Sequence, residues 1–165
     1  MARTLSPESH QRELARALLA RKLRTMPAHG LTGLPETELR RLYHQVHGCS
    51  PSSGSIPSTA HLLTSRRRQV KCSAFLEVYL ALGAHEAPID GERLVAAYDL
   101  YRTLSGEMEP EIDLTGAWSV VREYRAGLTL RKSCRSCEGH YLLAPRSSLI
   151  PNCPYCALRE RGLRP

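Results

Sequence analysis

Four of the six cysteines in this chain are spaced for chemistry. Cys134-Arg-Ser-Cys137 is followed, after fifteen residues, by Cys153-Pro-Tyr-Cys156. Two residues between thiols let one tight turn aim both sulfurs at a single ion, and the longer interval lets the chain run out and return. This pattern predicts a tetrathiolate zinc site, one Zn2+ per chain, with Zn–S distances of about 2.3 Å. A catalytic zinc keeps a position open for water or substrate. Four thiolates close the shell, so the expected role is structural. The alternative chemistry for a C-x-x-C pair is a redox disulfide, which normally sits at a strand-to-helix turn in a βαβ unit. No such unit is apparent in the surrounding sequence. Cys49 and Cys72 lie far from the paired set and are read as ordinary small residues.

Other reactive groups form no constellation. His44 and His47 share a helical spacing but have no third ligand beside them, and read as surface residues. His140 follows the first cysteine pair closely, yet four thiolates already suffice. The chain carries no glycine-rich phosphate loop, no G-x-S-x-G and no H-E-x-x-H. An enzyme is not expected.

The elements that must position the cysteines are mostly helical. A first helix is expected over 7–25, with Leu14, Leu18 and Leu23 on one side and Pro27 and Gly30 ending it. A second follows Pro35, with Leu39, Leu42, Tyr43 and Val46 on its apolar face and Gly48 as its stop. Residues 48–57 hold two prolines and two glycines, which would break any regular element, and read as an ordered loop. A third helical stretch covers 58–82, with a break near Thr64-Ser65; its apolar face is Val70, Ala74, Val78 and Leu82, widened by Phe75 and Tyr79. Arg66-Arg67-Arg68 and Lys71 crowd its first turns. Asp90 and Asp113 can cap a fourth and a fifth helix, separated by an acidic loop at 107–113. Then Leu128-Thr-Leu130 reads as a strand into the first cysteine pair, with Tyr141–Leu143 and Leu149-Ile150 as a hairpin between the pairs. The fold class is thus mainly α: a helical body of about five helices over 1–126 and a zinc-ribbon-like module over 127–165.

Composition supports this division. Hydrophobic residues make up 42% of 165, enough for a core, although Phe and Trp occur once each. The chain lacks a run of about 20 apolar residues, and its opening MARTLSPESH lacks a signal-type apolar stretch, so a cytoplasmic protein without a membrane span is expected. In that reducing compartment cysteines favour metal over disulfides. Net charge is +7. It is unevenly spread: +8 over residues 1–72, −6 over 86–113 and +6 over 125–165. Basic ends around an acidic middle point to a polyanion, most simply nucleic acid.

Several segments in consistent order resemble the FlhC family of flagellar master transcription regulators. They are Arg41-Leu42-Tyr43 with the loop Gly48-Cys-Ser-Pro51-Ser-Ser-Gly54-Ser-Ile-Pro57, then Ala97-Tyr98-Asp-Leu100-Tyr101. Ala117-Trp118-Ser-Val-Val121-Arg122, Gly127-Leu128, the two cysteine pairs and Gly139 follow. The resemblance implies a helical protein with Cys134, Cys137, Cys153 and Cys156 as zinc ligands. It implies a hetero-oligomer with an FlhD-type subunit that binds promoter DNA and activates flagellar (class II) operons, with RNA polymerase as a further candidate partner. The chain departs from the family pattern at His61-Leu-Leu63 and Arg66–Arg68, where relatives are often aromatic, and in its short stretch after Cys156.

Candidate phosphate contacts are the cations of the zinc module: Arg131, Lys132, Arg135 and Arg146, with Arg159 and Arg161 (and Arg164) beyond the last cysteine. Such contacts position a protein on nucleic acid without reading sequence. The alternative is a zinc-stabilised protein-interaction adaptor that makes no direct DNA contact.

Overall fold

The computed structural model describes residues 6–83, 88–106 and 112–162. Residues 107–111 of the acidic loop expected at 107–113, and Arg164, lie outside these residues. Eight helices and one two-stranded sheet are present among those described.

Helix α1 (Pro7–Ala20) begins where Ser6 caps it, the hydroxyl accepting the Ser9 N–H at 3.3 Å, with Pro7 in the first turn. That turn's amides have no intrahelical acceptor, so a proline costs nothing there. The helix stops earlier than the expected residue 25. Lys22 turns to φ +63°, and a separate helix α2 (Thr25–Thr32) follows. Pro27 and Gly30 lie inside α2 rather than ending its predecessor. Pro27 is accommodated because it again falls in a first turn. Helix α3 (Glu36–His47) starts after Pro35 and ends at Gly48, whose φ of +69° is the left-handed conformation that glycine adopts without strain. Leu39, Leu42 and Tyr43 are buried as expected, whereas Val46 is exposed. His47 is only partly a surface residue. Its Nε2 lies 2.8 Å from the Leu19 carbonyl oxygen, tying α3 to the end of α1.

The loop at 48–57 has no regular structure but is held in place. Arg24 Nη1 donates to the carbonyls of Gly54 and Ser55 at 2.9 and 2.8 Å. The next stretch divides near the expected break, into a single turn α4 (Thr59–Leu62) and a long helix α5 (Arg66–Ala81) capped by Ser65. Helices α6 (Gly91–Ser105) and α7 (Leu114–Arg125) start at Asp90 and Asp113, whose carboxylates accept the N–H groups of Glu92 and Arg93, and of Gly116.

The buried surface of α5 differs from the expected stripe. Val70 and Tyr79 are buried, but Ala74 and Val78 are only half-buried and Leu82 is exposed. Gln69, Cys72, Ser73, Leu76 and Leu80 are buried instead. The reason is that α5 is packed from several sides: α6 and α7 lie against it, and so do strand β2 (His140–Leu143) and helix α8 (Pro154–Glu160). A helix walled in on more than one side carries no single amphipathic stripe. On the α6 side its centre is Phe75, edge-on to Tyr98 and Tyr101 at centroid distances of 6.3 and 5.8 Å. Tyr98 donates its hydroxyl to the Ile112 carbonyl at 3.0 Å, and burial pushes its pKa up to about 12.

The β2 side of α5 is joined by buried polar bonds. Gln69 Nε2 donates to the Leu142 carbonyl at 2.8 Å. The Leu142 N–H donates to Ser73 Oγ at 3.0 Å, and that hydroxyl donates to the Gln69 carbonyl at 2.6 Å. These bonds satisfy backbone groups on the sheet edge that would otherwise be orphaned in the core. Gln69→Ala should therefore destabilise the fold by about 1–3 kcal/mol, the cost of an unsatisfied buried carbonyl. Urea unfolding of the metal-loaded protein measures it, and bound metal should stay unchanged.

Candidate metal centre

The first cysteine pair sits in the turn of a hairpin. Strand β1 (Leu130–Ser133) pairs antiparallel with β2, with Leu130 opposite Leu143 and Ser133 opposite His140. The hairpin thus encloses Cys134 and Cys137 and does not lie between the two pairs. Leu149-Ile150 is no strand, and β1 starts at Leu130 rather than Leu128. The turn is closed by Cys134 N–H to the Gly139 carbonyl at 3.0 Å and Glu138 N–H to the Cys134 carbonyl at 2.9 Å. Glu138 takes φ +59° to make this possible. The Ser136 N–H points at Cys134 Sγ from 3.4 Å.

The second pair arrives differently. Cys153 is the N-cap of α8 and Cys156 lies in its first turn, with Pro154 at the start. A helical first turn brings residues three apart to one side, so both sulfurs face the hairpin. Tyr155, between them, fastens the two halves. Its hydroxyl donates to the His140 carbonyl at 3.1 Å, and its ring covers Gly139. A Cβ at 139 would stand 3.1 Å from that ring and 3.4 Å from Cys137 Sγ, which is why this turn holds glycine.

All four sulfurs lie within 4.8 Å of one another. Cys134 Sγ is 3.8 Å from Cys156 Sγ, and Cys137 Sγ is 3.6 Å from Cys153 Sγ. A tetrahedron with Zn–S bonds of about 2.3 Å has edges of about 3.8 Å, so the donor set suits a tetrathiolate metal ion in both chemistry and spacing. Among the described residues no histidine or carboxylate joins the cluster. His140 turns its ring toward Glu77 instead, at 3.7 Å.

The thiols are not equivalent without metal. Backbone N–H groups of Cys137 and Ser136 bring the Cys134 pKa down to about 6. Sharing hydrogen bonds with Cys137 first, and burial second, push Cys156 up to about 12. Cys134 is therefore readied to lose its proton, while Cys156 holds its own more firmly. Metal affinity should fall as pH falls.

The expected phosphate contacts divide into two kinds. Arg131 is engaged: Nε and Nη2 meet the Glu77 carboxylate of α5 at 2.6 and 2.7 Å, a bidentate pair that raises the Arg131 pKa. It fastens β1 to the body. Lys132, Arg135, Arg146, Arg159 and Arg161 have exposed side chains. Arg135 projects from the cysteine turn and Arg146 from the turn after β2, with Arg159 and Arg161 at the end of α8.

Sequence reasoning gave no role to Gln69, Ser73, Glu77 or Glu123. Glu123, at the end of α7, is buried, and its Oε2 accepts the Thr59 N–H of α4 at 2.9 Å. The only local signal was a polar residue at an otherwise apolar helical position.

Comparison with known proteins bears on this arrangement. The model of the FlhC family, described as the flagellar transcriptional activator FlhC, matches residues 1–164. The chain belongs to the FlhC family. Relatives named flagellar transcriptional regulator FlhC include one from Enterobacter cloacae, 29% identical over 98% of this chain and 87% of the relative. Another from Erwinia tasmaniensis is 27% identical over 95% of this chain and 90% of its own. A third from Gallionella capsiferriformans is 30% identical over 85% and 79%. The family description and the names of these relatives are those of transcriptional regulators. The four cysteines of this FlhC-family chain are placed to hold a metal ion, and none of its described helices is long and apolar enough to cross a membrane.

Proposed function

We propose that the chain is a DNA-binding activator subunit of flagellar (class II) operons, working in the cytoplasm in a hetero-oligomer with an FlhD-type subunit. The observation that carries this reading is family membership over essentially the whole chain. The exposed cations around the cysteine cluster support it. Residues 127–165 act as a module on the 1–126 body, with Cys134, Cys137, Cys153 and Cys156 holding one structural Zn2+. The metal fixes the cysteine turn and the start of α8, and so sets the spacing of Arg135, Arg159 and Arg161. Lys132 and Arg146 extend the same basic surface. Arg131, already paired with Glu77, positions β1 and contributes least to phosphate binding. RNA polymerase is a further candidate partner of the assembled complex.

Phosphate contacts make binding salt-dependent, with a log-log slope of about −0.9 for each phosphate neutralised. If four of the five exposed cations meet phosphates, raising salt from 50 to 200 mM should weaken promoter binding by about a hundredfold. Fluorescence anisotropy with a labelled flagellar promoter duplex and the complex with the FlhD-type subunit measures this. Arg135→Ala with Arg159→Ala should flatten the slope by about two units, and Arg131→Ala should leave it nearly unchanged. A salt-independent affinity would refute direct phosphate contact.

A further inference from the structure

Three depressions run together along the line where the C-terminal segment meets α4 and α5. Their volumes are about 680, 260 and 480 Å³. The first two share Leu63, Ala144 and Pro145, and the last two share Leu149, so they adjoin and are taken together as one groove. Its walls carry three of the most exposed aliphatic side chains of the fold: Leu128 at 62%, Leu130 at 46% and Ile150 at 70%. Each depression thus carries one of these exposed aliphatic groups, and apolar surface gathered in one region and rimmed by polar residues marks interaction sites.

The rim of this groove is positive. Arg146 borders the first depression, Lys132 the second, and Arg67 and Arg161 the third. Among the described residues none of these four forms an ion pair. At the third depression Arg66 is lowered in pKa by burial first and by Arg161 second, so two guanidiniums are held near each other. The one carboxylate lining the groove is Glu123, which is buried and already occupied by the Thr59 N–H and by Arg122 at 3.1 Å.

We propose that this groove docks an acidic amphipathic segment of a partner protein. Its apolar side lies on Leu128, Leu130 and Ile150, and its carboxylates meet Lys132, Arg146, Arg67 and Arg161. This is recognition of an amphipathic helix by a groove, with charge complementarity supplied by the rim. Nucleic acid fits less well. Its phosphates would satisfy the rim but gain nothing from leucine and isoleucine, and His61 is the one ring in a lining that holds no Phe, Tyr or Trp for bases to stack on. The inference goes beyond the DNA reading and does not require it, although Lys132, Arg146 and Arg161 are candidates for both partners.

The test uses the metal-loaded full chain and a fluorescein-labelled synthetic peptide of about eighteen residues, leucines on one helical face and glutamates elsewhere. Polarisation should rise saturably. A shuffled peptide of the same composition, and one with lysines in place of the glutamates, should bind at least about tenfold more weakly. Ile150→Ser with Leu128→Ser should weaken binding of the acidic peptide about tenfold, as should Arg67→Glu with Arg161→Glu. Ile150 and Leu128 face solvent, so their serine variants should keep the circular dichroism spectrum and metal content of the parent. Equal binding of the shuffled peptide, or of the serine variant, would overturn the proposal. So would a labelled DNA duplex losing affinity in the serine variant as much as the peptide does, since that would make the groove a nucleic-acid surface. A duplex that binds the serine variant normally while the peptide does not separates this inference from the DNA reading.

Discussion

Cys134→Ser should strip the chain of its metal and unfold its C-terminal part. Serine is a poor ligand, and three thiolates leave the tetrahedron open. In isolated zinc modules metal binding contributes about 10–16 kcal/mol of apparent folding free energy. The hairpin here has only four residue pairs, and an isolated two-stranded hairpin is marginal in water. Helix α8 spans seven residues, too few to stand alone. Neither piece is expected to persist without the ion that joins them. The loss should also reach α5. Leu142 is fully buried against it, and the Gln69 and Ser73 bonds end on Leu142. Once β2 frays, those polar groups lose their partners inside the core. Elemental analysis should give close to no zinc in the variant, against one per chain in the parent, and thermal unfolding should begin at lower temperature. Retention of a full equivalent of zinc would contradict the ligand assignment. Removing metal from the parent with a chelator should reproduce the same unfolding, and more readily as pH is lowered, because protons then compete with the ion for the thiolates.

Phe75→Ala should destabilise the helical body by about 3–5 kcal/mol. It is the single phenylalanine of the chain, and it is fully buried. Its ring packs edge-on against both Tyr98 and Tyr101 of α6, at angles of 69° and 84°, with Tyr79 a turn away on α5. Alanine there removes the ring that touches the other three and leaves a cavity that tyrosines anchored on α5 and α6 fill poorly. Phe75→Leu keeps most of the volume and should cost less than half as much. Urea denaturation of both variants gives the comparison. The metal site lies across α5 from this cluster, so zinc content of folded Phe75→Ala should remain at the parental value. A loss of zinc in the folded variant would mean that the two sides of α5 are more tightly linked than their packing indicates.

What could be read in the residues was largely what depends on near neighbours. Asp90 and Asp113 cap helices through bonds to residues two or three positions away, and Gly48 ends one by its own φ. The cysteine pairs are likewise local, because a turn or a helical start brings each pair together by itself. The breaker rule misread Pro27 and Gly30, since it takes no account of a proline in a first turn. The α5 stripe was misplaced because two opposing layers bury it, and periodicity assumes one. Arg131 looked like a free cation because its partner, Glu77, is 54 residues away. Gln69 and Ser73, paired 73 and 69 residues along the chain, were silent for the same reason.

These separations also govern the order in which the protein is made. Every residue of α5 leaves the ribosome well before β2, since Gln69 precedes Leu142 by 73 positions. During that interval the helix can settle against α6 and α7, which precede β2, on one flank only. The other flank, with its glutamine and serine, meets water, and polar groups there tolerate the wait better than leucines would. The segment with β2 and α8 then closes a long loop, but its own nucleus is short: the four cysteines span only residues 134 to 156. An ion held by these cysteines would bind late and locally, completing a wall already standing, and a chain denied that ion would keep the wall open.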